Sequence, residues 1–305
     1  MHDSCFQPLI LSRTTRQPSI RSRPGLNSDV PAWLHRVEGS SKLAIFVPGA
    51  VEGSPMTGRH DYAPLARALA HVGVSLLLVQ MASAQFTHLA IFDECADDIK
   101  AAVDWAQADG FDWIGLVGIS MGGARVCYFN SVYPSPALRT IVLLATIKSS
   151  YLASVPIWTA EERARQDAVL EKCRALVSQG RGWEIVDGEL LGKRIIQTAE
   201  AYLSFFGALT DMNASTVKFF DAITVPTAII HAREDNAAPP AHAQEMYDLL
   251  GHLPHRRLVW LEDSDHQTLL PGDQALRTSR AIADWFADVI GRQSTDADRT
   301  PISGA

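Results

Sequence analysis

The chain has 305 residues, of which 47% are hydrophobic and 20% are charged, so it can bury a substantial core without cross-links. Its formal net charge of −7 argues against a nucleic-acid partner, which usually requires clustered Lys and Arg. The apolar stretches are far shorter than the roughly 20 residues that span a bilayer, so no membrane segment is expected. We expect a cytoplasmic protein, either a monomer or a homo-oligomer, that acts on a small-molecule substrate.

The N-terminal residues 1–32 allow two interpretations. Residues 1–24 contain four arginines and one acid, a composition typical of transit peptides. The alternative is an N-terminal extension that contributes edge strands around Pro8–Ser12 and Ser19–Arg23. A secretory signal is not expected, because the apolar run at Pro8–Leu11 is too short.

Strand-like runs alternate with helical runs along most of the remaining chain, which is typical of a parallel sheet covered by helices. The predicted strands are Lys42–Val47, Val74–Gln80, Trp113–Gly118, Arg139–Ala145, Pro226–His231 and Arg257–Leu261. Most of these runs are continuously apolar, so both faces of the sheet are expected to be buried. Apolar residues at helical spacing predict helices around Cys95–Ala106 and Ile282–Val289.

The segment Lys148–Asp221 interrupts this alternation. It contains no convincing strand, and helical stretches are predicted around Glu161–Gln179 and Lys193–Phe206. We therefore interpret residues 148–221 as a helical cap inserted into a core formed by residues 33–147 and 222–290.

Aromatic side chains in the cap either line a substrate pocket or pack the cap onto the sheet. Trp158, Phe205 and Phe206 are the candidates for substrate contacts. From Gly291 onward the apolar pattern stops, so residues 291–305 are predicted to form a flexible tail.

The strongest functional signal is the run Gly118-Ile119-Ser120-Met121-Gly122, between a predicted strand and a predicted helix. This is the pattern of a nucleophile elbow, in which a sharp turn lifts the serine above the sheet. Glycine is needed at both flanks because larger side chains would collide with neighbouring backbone. The alternative is that this five-residue pattern occurs by chance. A chance match is disfavoured if an acid and then a histidine follow later strands of the same sheet.

Both partners are present. Asp235 follows the strand Pro226–His231, and its spacing to Pro239 favours it over the neighbouring Glu234 as the acid. His266 follows the last predicted strand and is the candidate general base, which Asp235 would orient. Asp235 would otherwise be a solvated loop residue, and His266 an ordinary surface or core histidine.

An oxyanion hole requires two backbone amides, one of which follows the nucleophile. Met121 supplies that amide. The second is expected from the loop after Lys42–Val47, with Ala50 as the candidate donor and Val51 as a candidate substrate contact. The glycines of this loop would serve a simple tight turn equally well.

No cofactor and no metal are expected. The cysteines are widely separated and form no zinc or redox motif, so they are interpreted as reduced thiols. They are Cys5, Cys95, Cys127 and Cys173.

The order of Pro48-Gly49-Ala50, Ser120, Asp235 and His266 resembles the α/β-hydrolase superfamily over Trp33–Ile290. The resemblance implies the α/β-hydrolase fold, with a mostly parallel central sheet flanked by helices and a helical cap. Relatives that open epoxides or displace halide have aspartate at the elbow. By resemblance, the serine at this position implies acyl transfer instead. Many members of the superfamily have histidine where this chain has Pro48. This departure affects the hydrogen bonding of the loop, on which the choice of Ala50 as donor depends.

The resemblance implies cleavage of a carboxylic ester, thioester or lactone of a partly hydrophobic molecule through an acyl-serine intermediate. Amide or carbon–carbon bond hydrolysis on the same scaffold is the alternative, since fold does not determine function. The third hypothesis is a non-catalytic ligand receptor that has kept the pocket and the triad.

Overall fold

The computed structural model describes residues 6–13, 29–49, 61–81, 90–154, 158–190, 193–208 and 210–299. Within these ranges, no helix combines the length and the apolar character that crossing a membrane requires. The strands are β1 (Gln7–Leu11), β2 (Val30–His35), β3 (Lys42–Val47), β4 (Ser75–Val79), β5 (Trp113–Ile119), β6 (Leu138–Leu144), β7 (Ile185–Leu190), β8 (Lys193–Thr198), β9 (Thr227–Ala232) and β10 (Arg256–Leu261).

Helices connect the strands. They are α1 (Ala63–His71), α2 (Cys95–Ala108), α3 (Met121–Val132), α4 (Ser150–Ser154), α5 (Ala160–Ser178), α6 (Ala199–Phe206), α7 (Pro240–Leu249) and α8 (Gly272–Arg299). Short 3₁₀ turns occur at Phe92–Glu94, Val217–Ala222 and Leu250–His252.

Eight strands form one central sheet in the order β1-β2-β4-β3-β5-β6-β9-β10. β1 and β2 pair antiparallel at one edge, and the pairings from β4 through β10 are parallel. Successive residues of β3 alternate between two apolar clusters, with Ile45 in one and Phe46 in the other. Both faces of the sheet are therefore buried, as the continuous apolar runs predicted.

The six predicted strands are confirmed to within two residues, and the fold is the expected mostly parallel sheet flanked by helices. A strand that the sequence interpretation did not predict is β2, which crosses the proposed boundary at residue 32. Of the two predicted edge strands, Pro8–Ser12 corresponds to β1, whereas Ser19–Arg23 lies outside the described residues. Among the described cysteines, Cys95, Cys127 and Cys173 are free and buried.

Two predictions at the cap and the C-terminus were wrong in part. Residues Lys193–Thr198 are not helical but pair with Ile185–Leu190 in an antiparallel hairpin, and the helix begins only at Ala199. Residues 291–299 of the predicted tail are helical, because they continue α8. A hydrogen bond of 2.7 Å from Trp113 Nε1 to Gln293 Oε1 holds this extension against the core.

Acidification is expected to destabilise this fold through His242, which is 5% exposed. Burial, with the nearby Lys148 ammonium, lowers the pKa of His242 from 6.5 to about 4. In the unfolded chain the imidazole of His242 binds a proton as the pH falls below 6.5, whereas in the folded chain it binds one only near pH 4. The contribution of His242 to stability is thus complete above pH 6.5 and is lost as the pH falls towards 4.

The variant His242→Gln should therefore reduce the loss of unfolding free energy between neutral and acidic pH by on the order of 2 kcal/mol. Urea denaturation at both ends of this range measures the effect. His71→Gln, at the exposed end of α1, is the matched control. An equal loss of stability on acidification in the His242 variant and the wild type would contradict the assignment.

Candidate active site

Ser120 lies in the turn between β5 and α3, with a φ of 54° that non-glycine residues rarely adopt. The two flanking glycines make this turn possible. A Cβ on Gly118 would lie 2.4 Å from the carbonyl oxygen of Gly122, and one on Gly122 would lie 2.3 Å from that of Val47. The glycines of the predicted elbow are thus required by close backbone contacts.

Backbone strain is concentrated at the same edge of the sheet. In the described part of the chain, the non-glycine residues with positive φ are Ser120, Ala145 and Asp263. They follow β5, β6 and β10, and so lie at the carboxyl ends of three parallel strands. Such strain persists only where the surrounding structure holds it, and it often accompanies function.

The structure brings together the three residues that the sequence singled out. His266 Nε2 lies 3.1 Å from Ser120 Oγ, and His266 Nδ1 lies 2.9 Å from Asp235 Oδ2. The Asp235 carboxylate is fully buried, whereas 13% of the His266 side chain is exposed. A hydroxyl, an imidazole and a carboxylate in this order have the geometry of an activated nucleophile.

Backbone amides hold the Asp235 carboxylate in place. Its Oδ1 accepts hydrogen bonds from the amides of Ala237 at 2.9 Å and Ala238 at 2.6 Å, which leaves Oδ2 for the imidazole. The rival carboxylate, Glu234, is exposed. Tertiary geometry therefore favours Asp235 over Glu234 as the partner of the imidazole.

A second histidine, which the sequence interpretation did not single out, supports this loop. His231, at the end of β9, is fully buried, and burial lowers its pKa, so its ring is neutral. Its Nε2 lies 2.8 Å from the carbonyl oxygen of Ala238 and must carry the proton, since a carbonyl only accepts. His231 thus anchors the residue whose amide binds Asp235. A polar residue within an apolar strand is the signal that would have identified it.

The elbow also orients the amide of Met121. Ser120 is the residue that precedes α3, and the first amides of a helix have no acceptor within the helix. The positive end of the helix dipole adds to the attraction for negative charge at this point. Ala50 and Val51, the other two residues predicted in this region, lie outside the described residues.

The aromatic candidates of residues 148–221 occupy two different environments. Phe205 is 1% exposed and packs edge-to-face on Phe92, and Phe206 is 9% exposed, so both belong to the packed interior. The predicted substrate contact at these two residues is therefore corrected to a packing role, since their surfaces are already covered. Trp158 is partly exposed and lies edge-to-face with Tyr151.

Trp158 also borders a cleft of about 360 Å³ between α5 and the β7–β8 hairpin. The cleft is lined by polar and charged residues as well, among them Gln166, Asp187 and Arg194. Of the aromatic residues predicted to contact substrate, Trp158 keeps an accessible surface, and the residues that line its cleft do not include Ser120, Asp235 or His266.

Solved structures of similar fold cover nearly the whole chain at low sequence identity. A structure of DcsB in complex with its substrate analogue has a TM-score of 0.67 at 14% identity and covers 94% of this chain and 100% of its own. The Pyrococcus furiosus esterase Pf2001 has a TM-score of 0.60 at 18% identity, with 94% and 91% covered. Est1E from Butyrivibrio proteoclasticus has a TM-score of 0.58 at 16% identity, with 86% and 95% covered.

A family model adds sequence-level support. The model described as Hydrolase_4 (serine aminopeptidase, S33) matches residues 58–273, which include Ser120, Asp235 and His266. The match covers more than half of the chain and confirms the superfamily that the motifs resembled. The protein therefore belongs to the serine aminopeptidase S33 family and is an enzyme of the α/β-hydrolase superfamily.

Proposed function

We propose that the protein cleaves a carboxylic ester, thioester or lactone of a small, partly hydrophobic molecule through an acyl-serine intermediate. The observation that carries this proposal is the line of contacts from Ser120 Oγ through His266 to Asp235 Oδ2, at 3.1 and 2.9 Å. This line gives the serine a base that is already in contact, and gives the base a carboxylate that sets its tautomer.

In the first half of the reaction, Ser120 Oγ attacks the carbonyl carbon of the substrate while its proton passes to His266 Nε2. The negative charge moves to the carbonyl oxygen, where the amides of Met121 and Ala50 are the proposed donors. Asp235 stabilises the imidazolium that forms. The tetrahedral intermediate then expels the alcohol or thiol, which takes the proton from His266 and leaves the acyl group on Ser120.

In the second half, water replaces the leaving group. The oxygen of a water molecule attacks the acyl carbon while His266 Nε2 accepts a proton from that water. His266 then returns the proton to Ser120 Oγ as the acid is released. The overall balance is one ester and one water converted to one acid and one alcohol.

The similar structures favour an ester over an amide. Several are described as esterases, one with ferulic acid bound, and another is a monoacylglycerol lipase from Paleococcus ferrophilus. The description of the matching family instead names an aminopeptidase, so amide hydrolysis is the second candidate. Both reactions use the same acyl-serine chemistry and differ in the group that leaves.

Two substrates separate these candidates. We expect the purified protein to hydrolyse p-nitrophenyl acetate or butyrate, activated esters that either kind of enzyme cleaves, and to leave alanine p-nitroanilide, which requires an amidase, without detectable turnover. A fluorophosphonate probe should label Ser120 in the wild type and nothing in Ser120→Ala. Preferential turnover of the anilide would favour the amide candidate. Absence of labelling and turnover would favour a ligand receptor.

We further propose that residues 148–221 form a cap that sets substrate choice. The segment leaves the core after β6, whose last residues lie beside the serine, since the amide of Ser120 donates to the carbonyl of Leu144 at 2.9 Å. Residues near its two ends are joined by a hydrogen bond of 2.8 Å from the amide of Thr216 to the carbonyl oxygen of Lys148. A cap at this edge would exclude water and strengthen the oxyanion contacts.

Replacing Trp158 with alanine tests this role. We expect the ratio of specificity constants for a bulky aromatic ester and for a small acetyl ester to fall by about fivefold or more, or roughly 1 kcal/mol. Phe205→Ala is the contrasting variant: its buried ring should cost about 3–5 kcal/mol of stability and leave the ratio nearly unchanged. A ratio within twofold of wild type in the Trp158 variant would show that this side chain does not touch the substrate.

A further inference from the structure

A buried histidine lies beside the Asp235 carboxylate. His231 belongs to β9 and is fully buried. Its partner in the parallel register with β10 is Trp260, and the centroids of the two rings lie 5.9 Å apart at an interplanar angle of 79°. Close packing of this edge-to-face kind restricts the orientation of the imidazole. The two ring nitrogens of His231 therefore have defined positions relative to the loop that carries Asp235.

The loop of residues 233–239 bends around one of these nitrogens. His231 Nε2 donates to the carbonyl oxygen of Ala238 at 2.8 Å and lies 3.9 Å from Asp235 Oδ2. The amide of Ala238 in turn donates to Asp235 Oδ1 at 2.6 Å. Ala238 thus joins the buried imidazole to the Asp235 carboxylate through its own two backbone groups.

The two oxygens of the Asp235 carboxylate have different surroundings as a result. Oδ1 accepts two backbone amides, whereas Oδ2 faces His266 Nδ1 at 2.9 Å and His231 Nε2 at 3.9 Å. The longer distance is not a hydrogen bond, but the partial positive charge of an N–H group still attracts a charged oxygen in a buried setting. His231 therefore favours the carboxylate orientation in which Oδ2 meets His266.

We propose that His231 is a positioning residue that sets the tautomer of His266 through Ala238 and Asp235, an inference that rests on the proposed hydrolase function. An ionised carboxylate only accepts, so Asp235 Oδ2 keeps a proton on His266 Nδ1. His266 Nε2 is then free to accept the proton of Ser120. Without the contact between His231 and Ala238, the carboxylate can turn and this preference weakens.

Packing alone is a poor explanation for a histidine at this position. Burying an imidazole removes its hydration, and only hydrogen bonds offset that cost. The hydrogen bond that His231 donates goes to the loop of Asp235. Burial also lowers the pKa of His231 and keeps the ring neutral. A neutral ring can orient the carboxylate without competing, as a second cation, with the imidazolium that forms on His266.

The test compares His231→Phe, which keeps a ring but removes the donor, with His231→Gln, which keeps an N–H donor. We expect the phenylalanine variant to lower kcat for a p-nitrophenyl ester by about 10- to 100-fold, since a small displacement of a catalytic group costs up to about 100-fold. KM should change by less than about threefold, because neither His231 nor Asp235 is proposed to bind the substrate. The glutamine variant should stay within about fivefold of wild type, since its amide can replace the ring donor.

Nitrogen NMR of protein made with isotopically labelled histidine gives a readout that a purely structural role would not move. At mildly alkaline pH, the chemical shifts of the two nitrogens of a neutral imidazole show which of them carries the proton. We expect His266 to carry it on Nδ1 in the wild type and in the glutamine variant. The phenylalanine variant should show a mixture of the two tautomers. The signals of His266 are identified by their absence from His266→Gln.

His252→Phe is the matched control. His252 Nε2 also contacts a backbone carbonyl, that of Ile223 at 3.0 Å, which lies outside the loop of Asp235. Loss of this contact should lower the Tm. It should leave kcat within about twofold of wild type and the tautomer of His266 unchanged.

A folded phenylalanine variant with kcat within about twofold of wild type overturns the proposal, as does an effect confined to KM. Equal losses in the phenylalanine and glutamine variants, or a loss in which His266 keeps its wild-type tautomer, also overturn it. If the phenylalanine variant does not fold, His231→Leu carries the same test and is judged by the same outcomes.

Failure of the proposed function is distinguishable from failure of this inference. A wild type that hydrolyses neither the ester nor the anilide, and is not labelled at Ser120, defeats the proposed function. The NMR comparison needs no substrate, so it still decides whether His231 sets the tautomer of His266.

Discussion

Replacing Ser120 with alanine is expected to lower kcat/KM for an ester by about a thousandfold or more while the protein stays folded. The loss follows because the hydroxyl forms the new bond and its oxygen already lies 3.1 Å from the imidazole. The fold should tolerate the change, since serine already carries a Cβ at a φ of 54° and alanine adds nothing to that strain. Steady-state kinetics and thermal unfolding monitored by circular dichroism measure the two effects.

Ser131→Ala is the matched control. Ser131 lies on the same helix, and its hydroxyl donates to the carbonyl of Tyr128 at 2.7 Å, away from the imidazole. Its specificity constant should stay within about twofold of wild type, which corresponds to roughly 0.4 kcal/mol. A folded Ser120 variant that keeps more than a tenth of the activity would eliminate the acyl-serine mechanism.

The second large effect is expected for Asp235→Asn, with a loss of about 1000- to 10,000-fold in kcat. The asparagine carbonyl can still accept the amides of Ala237 and Ala238, which places its NH₂ group towards His266. An NH₂ group only donates, so His266 Nδ1 would have to accept and the proton would move to Nε2. The nitrogen that faces Ser120 would then be unable to take the proton of the hydroxyl.

Asp265→Asn is the comparison for this prediction. Asp265 is also a loop carboxylate whose Oδ1 accepts two backbone amides, those of Gln267 at 2.8 Å and Thr268 at 2.9 Å. An asparagine there keeps the accepting carbonyl, so kcat should fall by less than about tenfold. The two variants differ in whether the carboxylate binds the imidazole. Similar activity in both would argue that Asp235 does not set the tautomer of His266.

The strands were predictable because a sheet covered on both faces requires continuous apolar runs, as in β3 and β6. β2 was missed because it is an antiparallel strand whose residues are alternately buried and partly exposed, and because it contains Pro31. The β7–β8 hairpin was missed for a related reason. Val186 is buried, but Ile185 and Ile196 are exposed, so the apolar pattern did not indicate two paired strands.

The sequence by itself determined the superfamily, the serine at the elbow and the order of Ser120, Asp235 and His266, since these follow from local geometry and from the order of strands. The fold then showed that Asp235, which the loop spacing had favoured over Glu234, is the carboxylate that meets the imidazole. It also revealed the contacts of Arg125 with the loop after β3 and of His231 with Ala238. These are hydrogen bonds from buried polar groups, and the partners of such groups are set by how the chain packs.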